Sequence, residues 1–203
     1  LAIHHSPSLA SSAFIAAVQN LPHLTSIRIS RSMIRLDDAI PAIVEHLPKL
    51  SHLTVVHAED DVTDAAAFHV TKLTNLEDLS FEAYALSLDD EIVRAIAKSL
   101  TKLSTLTLAN TSASSSLAYL SQLKMLTKLV IPLSYFPPTS LSLLPAGLRH
   151  VDAKFCDDSV ESLVTRCTAL KRLSIGSYFP DMDVSISSTR LTDASLISVA
   201  KLM

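Results

Sequence analysis

Leu50-Ser51-His52-Leu53-Thr54-Val55 recurs 26 residues later as Leu76-Glu77-Asp78-Leu79-Ser80-Phe81, and this pair decides how the chain is read. Both follow L-x-x-L-x-L, with other apolar residues admitted at the last positions. The form returns in Leu24 to Ile29, Leu103 to Leu108, Leu126 to Ile131, Leu148 to Ala153 and Leu170 to Ile175, making seven copies. The first leucines are 26, 26, 27, 23, 22 and 22 residues apart. Their mean is about 24 residues, inside the 20–29 range of one known repeat class. Leu21, Leu47, Leu73, Leu100 and Leu123 precede most copies by three positions. Leu1-Ala2-Ile3 stands 26 residues before Ile27-Arg28-Ile29 and reads as the tail of an eighth copy.

The alternation in L-x-L sends two apolar side chains to one face of a short strand and the residue between them to the other. Each copy then needs a return segment. From Asp37 to Leu47 the apolar positions 40, 43, 44 and 47 have helical spacing, and from Asp89 to Leu100 Ile92, Val93, Ile96 and Leu100 repeat it. Thr63-Asp64, Asp157-Asp158 and Thr192-Asp193 open the equivalent segments. Thr or Asp there is expected to accept from free N–H groups of the first turn, and the acid favours the positive helix end. Pro41 is expected in a first turn, where a missing N–H costs least. In the shorter copies, Ala113 to Leu123 is expected to be helical and Pro137 to Gly147 a turn or short 3₁₀ piece. The change of repeat length predicts a change of curvature near residues 103–126.

These residues resemble the leucine-rich-repeat family, and the resemblance covers nearly all of residues 1–203. Cys156 to Ile175 is similar to the cysteine-containing repeats of F-box-type ubiquitin-ligase substrate receptors, and Leu191-Thr192-Asp193-Ala194-Ser195-Leu196 resembles their helix opening. The family places Asn or Cys three residues after the last strand leucine. Here that position holds Ser6, Ser32, Ala58, Tyr84, Thr111, Ser134, Cys156 and Tyr178, so the interior polar ladder is irregular. The resemblance implies an adapter or substrate-receptor role. Repeat geometry implies an α/β fold: a curved solenoid with a parallel sheet on the concave face and helices on the convex face. Residues 1–203 form one such domain of about eight repeats. Neither end shows the polar cap that solenoids need. The chain is therefore expected to be a piece of a longer protein, or to have its ends covered by missing repeats or other chains.

Composition narrows the function. The chain has 203 residues, of which 48% are hydrophobic, enough for a sizeable core. It contains 33 Leu and 29 Ser but 2 Gly, Gly147 and Gly176. Phosphate-cradling loops, nucleophile elbows and dinucleotide fingerprints need glycines close together. A net charge of −3 without basic clusters speaks against a nucleic-acid surface. Two cysteines do not make a disulfide framework, and they fit a reducing compartment, inside the cell and in the cytoplasm. Residues 104–123 are interrupted by Ser and Thr and 129–148 by four prolines, so neither reads as a membrane span.

The face opposite the core carries the candidate binding residues. One row reads Ser26, His52, Asp78, Thr105, Lys128, His150, Arg172. The next reads Ala2, Arg28, Thr54, Ser80, Thr107, Val130, Asp152, Ser174. The third reads His4, Ser30, Val56, Glu82, Ala109, Pro132, Lys154, Gly176. Asp78 and Glu82 make an acidic spot, while Lys128, His150, Lys154 and Arg172 make a basic end. The partner-binding set is Arg28, His52, Thr54, Asp78, Ser80, Glu82, Lys128, His150, Asp152, Lys154 and Arg172. The plainer reading of these rows is a solvated sheet face. No aromatic row supports base stacking.

Thr192 predicts the next anchor near residue 205, which makes the last repeat about ten residues longer than the mean and places an insertion at 177–190. Tyr178, Phe179 and Met182 in it are candidate partner anchors, against the plainer reading of a tolerated insertion. His4-His5 and His57-x-Glu59 lack metal-ligand spacing, and the acidic run at 59–64 lacks the glycine and spacing of a calcium loop. Cys156 and Cys167 fall at inward-facing positions and read as buried thiols. No cofactor, metal or catalytic group is expected. The sequence points to a non-enzymatic module that binds a protein partner on the concave face. Its alternatives are a structural subunit of a large assembly, or the recognition part of a larger sensor.

Overall fold

The computed structural model describes residues 1–4, 9–32, 34–56, 63–82, 89–108, 116–135, 143–154, 162–163 and 165–175. Within them the strands are β1 (Ala2–His4), β2 (Ser26–Ser30), β3 (His52–Val56), β4 (Asp78–Glu82), β5 (Thr105–Leu108), β6 (Lys128–Tyr135), β7 (His150–Lys154) and β8 (Arg172–Ile175). They form one sheet in sequence order, parallel throughout. Parallel neighbours need a crossover, and here it is made by α1 (Ser11–Asn20), α2 (Leu36–His46), α3 (Asp64–Val70), α4 (Asp90–Ser99) and a 3₁₀ helix (Ser116–Gln122). Each helix packs on the next. This is the α/β leucine-rich-repeat solenoid that the spacing implies.

The register follows the repeat. Leu53 pairs with Ile27 and Leu79, Leu106 with Leu79 and Leu129, and Val151 with Leu129 and Leu173. Strand residues Ile27, Leu53, Leu79, Leu106, Leu129 and Val151 are buried, as are Ile40, Ile43, Ile92, Val93 and Ile96 from the helices. Leu47, Leu73, Leu100 and Leu123 close the core where each helix turns toward its strand. Burial of one such side chain stabilises the fold by about 1.5–3 kcal/mol.

A second ladder runs where the strands begin. The carbonyls of Thr25, Ser51, Glu77, Ser104, Thr127 and Arg149 each accept two backbone N–H groups from the next repeat, at 2.7–3.1 Å. Hydroxyls add a further donor at three rungs: Ser51 Oγ to Thr25 O, Ser104 Oγ to Glu77 O and Thr127 Oγ1 to Ser104 O. Part of the serine and threonine content is thereby explained, because a short hydroxyl at this position satisfies a carbonyl one repeat away. Asn75 spans three repeats. Its Nδ2 donates to Pro48 O at 2.9 Å, and its Oδ1 accepts from Lys102 Nζ at 2.7 Å.

Several expectations change. Helix α2 starts at Leu36, so Pro41 is its sixth residue rather than part of the first turn. The proline removes one helical donor there, the one that would face the Asp37 carbonyl. Asp89 caps α4 as expected, accepting from the N–H groups of Glu91 and Ile92. Thr63 precedes α3 but makes no side-chain cap, because its hydroxyl is turned to the preceding repeat. The return segment within Ala113 to Leu123 is a 3₁₀ helix over Ser116–Gln122, whose longer rise per residue suits a copy three or four residues shorter. Helix α1 lacks an acid in its first turn, which hid it from a reading based on acidic caps. Residues 137–142, 157–158 and 192–193 lie outside the described residues. Arg31, just after β2, has a φ of 48°, a left-handed turn built without glycine.

Candidate partner-binding face

The two rows nearest the strand starts are assembled as the alternation requires. Ser26, His52, Asp78, Thr105, Lys128, His150 and Arg172 are register neighbours on consecutive strands. Ala2, Arg28, Thr54, Ser80, Thr107, Val130, Asp152 and Ser174 make the parallel row. The third row holds from His4 through Ser30 and Val56 to Glu82. It then departs from expectation. The β6–β7 register shifts after Ile131, and Tyr135, not Pro132, stands beside Lys154. Proline has no N–H to give the ladder, and a bulge accommodates it. Ala109 and Gly176 lie outside the described residues, as do Tyr178, Phe179 and Met182.

The face is not a uniformly solvated sheet. Ser80, Thr107 and Val130 in the middle row are only 9%, 8% and 9% exposed. They form a nearly covered band across β4, β5 and β6. Thr54 and Asp152 are half-buried at its ends, and Arg28 and Ser174 are exposed. The alternation predicted which way these residues point but not their burial.

Charge is distributed along the first row. Asp78, Lys128 and His150 are half-buried, and His52 and Arg172 are exposed. Burial pushes the Asp78 carboxyl above its usual value, opposed by the positive fields of His52 and Lys128. Burial lowers the His150 pKa, helped by the Lys128 and Arg172 charges and opposed by Asp152. Among the described residues the ion pairs within 4.0 Å are Arg35–Asp38 and His46–Glu45, both away from this row. Neither involves Asp78, Lys128 or Arg172. Ser80 Oγ donates to Glu82 Oε1 at 2.9 Å, which steers the Glu82 carboxylate along β4. His52 is held at its Nδ1 by Ser51 Oγ at 2.8 Å.

Elsewhere the described residues contain no group of three His, Cys, Asp or Glu placed to hold a metal ion. Cys167 is a free, fully buried thiol 3.6 Å from the Pro145 carbonyl, and burial raises its pKa to about 11. A thiol so placed is a poor nucleophile at neutral pH. Cys156 lies outside the described residues. No described helix is long and apolar enough to cross a membrane.

No family model matches the sequence, and no curated protein matches it significantly. Solved structures do match. The chain is similar to internalin C2 of Listeria monocytogenes, with a TM-score of 0.63 and 18% identity over 91% of this chain and 76% of that one. It is also similar to the internalin inlF of the same organism, with a TM-score of 0.53 and 17% identity over 86% of this chain. The chain spans about half, 55%, of the inlF structure. Internalins are leucine-rich-repeat proteins, so these matches agree with the observed fold.

Proposed function

We propose that the chain is a non-enzymatic protein-interaction module that seats a partner across the open face of its sheet. One observation carries this reading. A single row presents Asp78 and the basic Lys128 and Arg172 beside a band of small buried side chains, and among the described residues no ion pair within 4.0 Å involves these three. Half-buried charge such as that of Asp78 and Lys128 is costly to the fold, and a complementary ligand offsets that cost. An adapter or substrate-receptor role is the finer form of this proposal, supported by the resemblance of the Cys156 to Ile175 repeat. An intracellular site is supported by the free Cys167 thiol.

The test uses Asp78→Lys/Glu82→Lys beside the unaltered chain as bait in crosslinking with quantitative mass spectrometry. The double variant is expected to lose its partner at least tenfold while retaining the circular dichroism spectrum of the parent. Unchanged capture overturns the assignment to this face. A second reading, a fixed subunit of a larger assembly, is favoured by Leu1 and Leu21. Both are exposed, although the equivalents of Leu21 in later repeats are buried. Aggregation of the purified chain that neighbouring chains cure supports it.

A further inference from the structure

The turns that lead into the strands share one edge of the solenoid, because each repeat sets its strand start in register with the next. Six successive turns, those entering β3 to β8, carry one basic side chain each: Lys49, Lys72, Lys102, Lys124, Arg149 and Lys171. All six are exposed. Across residues 47–51, 71–77, 100–104, 123–127, 143–149 and 167–171 the one acid is Glu77. Arg149 and Lys171 directly precede β7 and β8, so the pull of a helix C-terminus, which fades within the last turn, does not account for the row. Its members are about one repeat apart in the chain, which hides them from a search for basic runs.

The helix starts at the other edge hold acids instead: Asp37 and Asp38 in α2, Asp64 in α3, Asp90 and Glu91 in α4, offset in part by Arg31 and Arg35. The net charge of −3 conceals this separation. Neither ion pair within 4.0 Å among the described residues involves the basic row. Lys102 Nζ donates to Asn75 Oδ1 and Lys124 Nζ to Ser121 O, both at 2.7 Å, and these neutral oxygens leave the charge in place. The same edge exposes apolar side chains. Met125, 63% exposed, follows Lys124, and Leu143, 46% exposed, stands in the turn of Arg149. Leu21 lies in the turn that enters β2, so this edge holds three of the four large apolar side chains exposed among the described residues.

We propose that this edge rests on the surface of an anionic phospholipid bilayer, with the six bases among the headgroup phosphates and Met125 and Leu143 at the acyl boundary. Interfacial binding combines attraction to anionic lipid with shallow burial of apolar side chains, and the edge supplies both. Long basic side chains suit such a boundary, since their apolar stems and charged ends sit at different depths. A nucleic acid or a purely acidic peptide would answer the bases and leave Met125 and Leu143 in water, and these turns contain no Phe, Tyr or Trp on which bases could stack. Each base near an anionic bilayer strengthens binding about fivefold. The sheet face stays open in this arrangement, so the proposal does not depend on how that face is used.

The test is co-sedimentation of the purified chain with phosphatidylcholine vesicles, with and without phosphatidylserine. Binding is expected to be roughly tenfold or more tighter with phosphatidylserine and to weaken as salt is added. Lys102→Glu/Lys124→Glu should lose roughly tenfold or more of that affinity. Arg35→Glu/Arg94→Glu, an equal change of charge away from these turns, should stay within about twofold of the parent. Met125→Ser should weaken binding about threefold and leave the slope of the salt dependence unchanged. Circular dichroism checks that each variant folds, and Lys49→Glu/Lys171→Glu repeats the charge test on other turns. Equal binding to the two vesicles, equal losses from the two kinds of double variant, or no effect of Met125→Ser overturns the proposal. Tighter binding to a DNA duplex or to polyglutamate than to the anionic vesicles overturns it as well.

Discussion

The hydroxyl of Thr63 donates to Oδ1 of Asp37, one repeat earlier, at 3.0 Å, and the Thr63 backbone N–H donates to the same oxygen at 2.9 Å. A carboxylate in the first turn of α2 thus holds the residue that opens α3. Ser11 treats the next helix alike: its Oγ accepts from the Arg35 N–H at 2.9 Å. Asp37→Ala should destabilise the chain by about 1 kcal/mol, the usual size of a solvent-accessible charge-assisted contact. Thr63→Ala should cost less, because the backbone bond survives. A double-mutant cycle in urea checks this, and strict additivity of the two effects would show that the hydroxyl–carboxylate contact contributes nothing.

Leu21 and Leu100 occupy the same motif position, yet Leu21 is 44% exposed and Leu100 is fully buried. Leu100→Ala should cost about 2–5 kcal/mol, by lost burial plus a cavity. Leu21→Ala should cost under about 1 kcal/mol, since much of its side chain already meets water. Urea midpoints compared at constant m-value measure both. Similar losses at the two sites would mean that Leu21 is covered in solution.

The same pair marks what a sequence can and cannot reveal here. The motif located the strands and gave register for Leu53, Leu79 and Leu106, because alternation is a property of the chain itself. It could not tell Leu21 from Leu100, because burial depends on a neighbouring repeat. Pro41 lies beyond the first turn for a related reason: the N-cap is Arg35 and not an acid, so α2 starts at Leu36 and the proline is its sixth residue. The charge row was legible residue by residue. The low exposure of Ser80 and Thr107 was not, since alternation says which face a residue takes and nothing of how deeply it is covered. Asn75 gave no signal, as its two contacts reach 27 residues in each direction.

Ser32, just after β2, is 6% exposed, and its hydroxyl has no hydrogen-bond partner among the described residues. A buried hydroxyl without a partner carries a desolvation cost that an alanine does not. Ser32→Ala should therefore be neutral or stabilise by up to about 1 kcal/mol, unlike most buried substitutions. Thermal denaturation distinguishes the outcomes, and a clear drop in Tm would mean that the hydroxyl is satisfied.

His150 and Asp78 should give stability opposite pH dependences. The His150 pKa is lowered in the fold from its usual 6.5, so the unfolded chain binds the proton more readily. Its contribution is fully present above 6.5 and is lost as pH falls through the folded value. Asp78 is raised from 3.8, so the folded chain holds its proton more tightly. Its contribution is complete below 3.8 and is lost as pH rises through the folded value. His150→Gln should flatten the loss on the acidic side of neutrality. Asp78→Asn should be more stable than the parent above the folded Asp78 pKa, and the difference should vanish in stronger acid. Urea denaturation from about pH 8 down to about pH 4 measures both, provided that unfolding stays two-state. A constant difference between Asp78→Asn and the parent over that range would show that burial leaves this carboxyl unperturbed. The basic arm would then be the face's principal electrostatic feature.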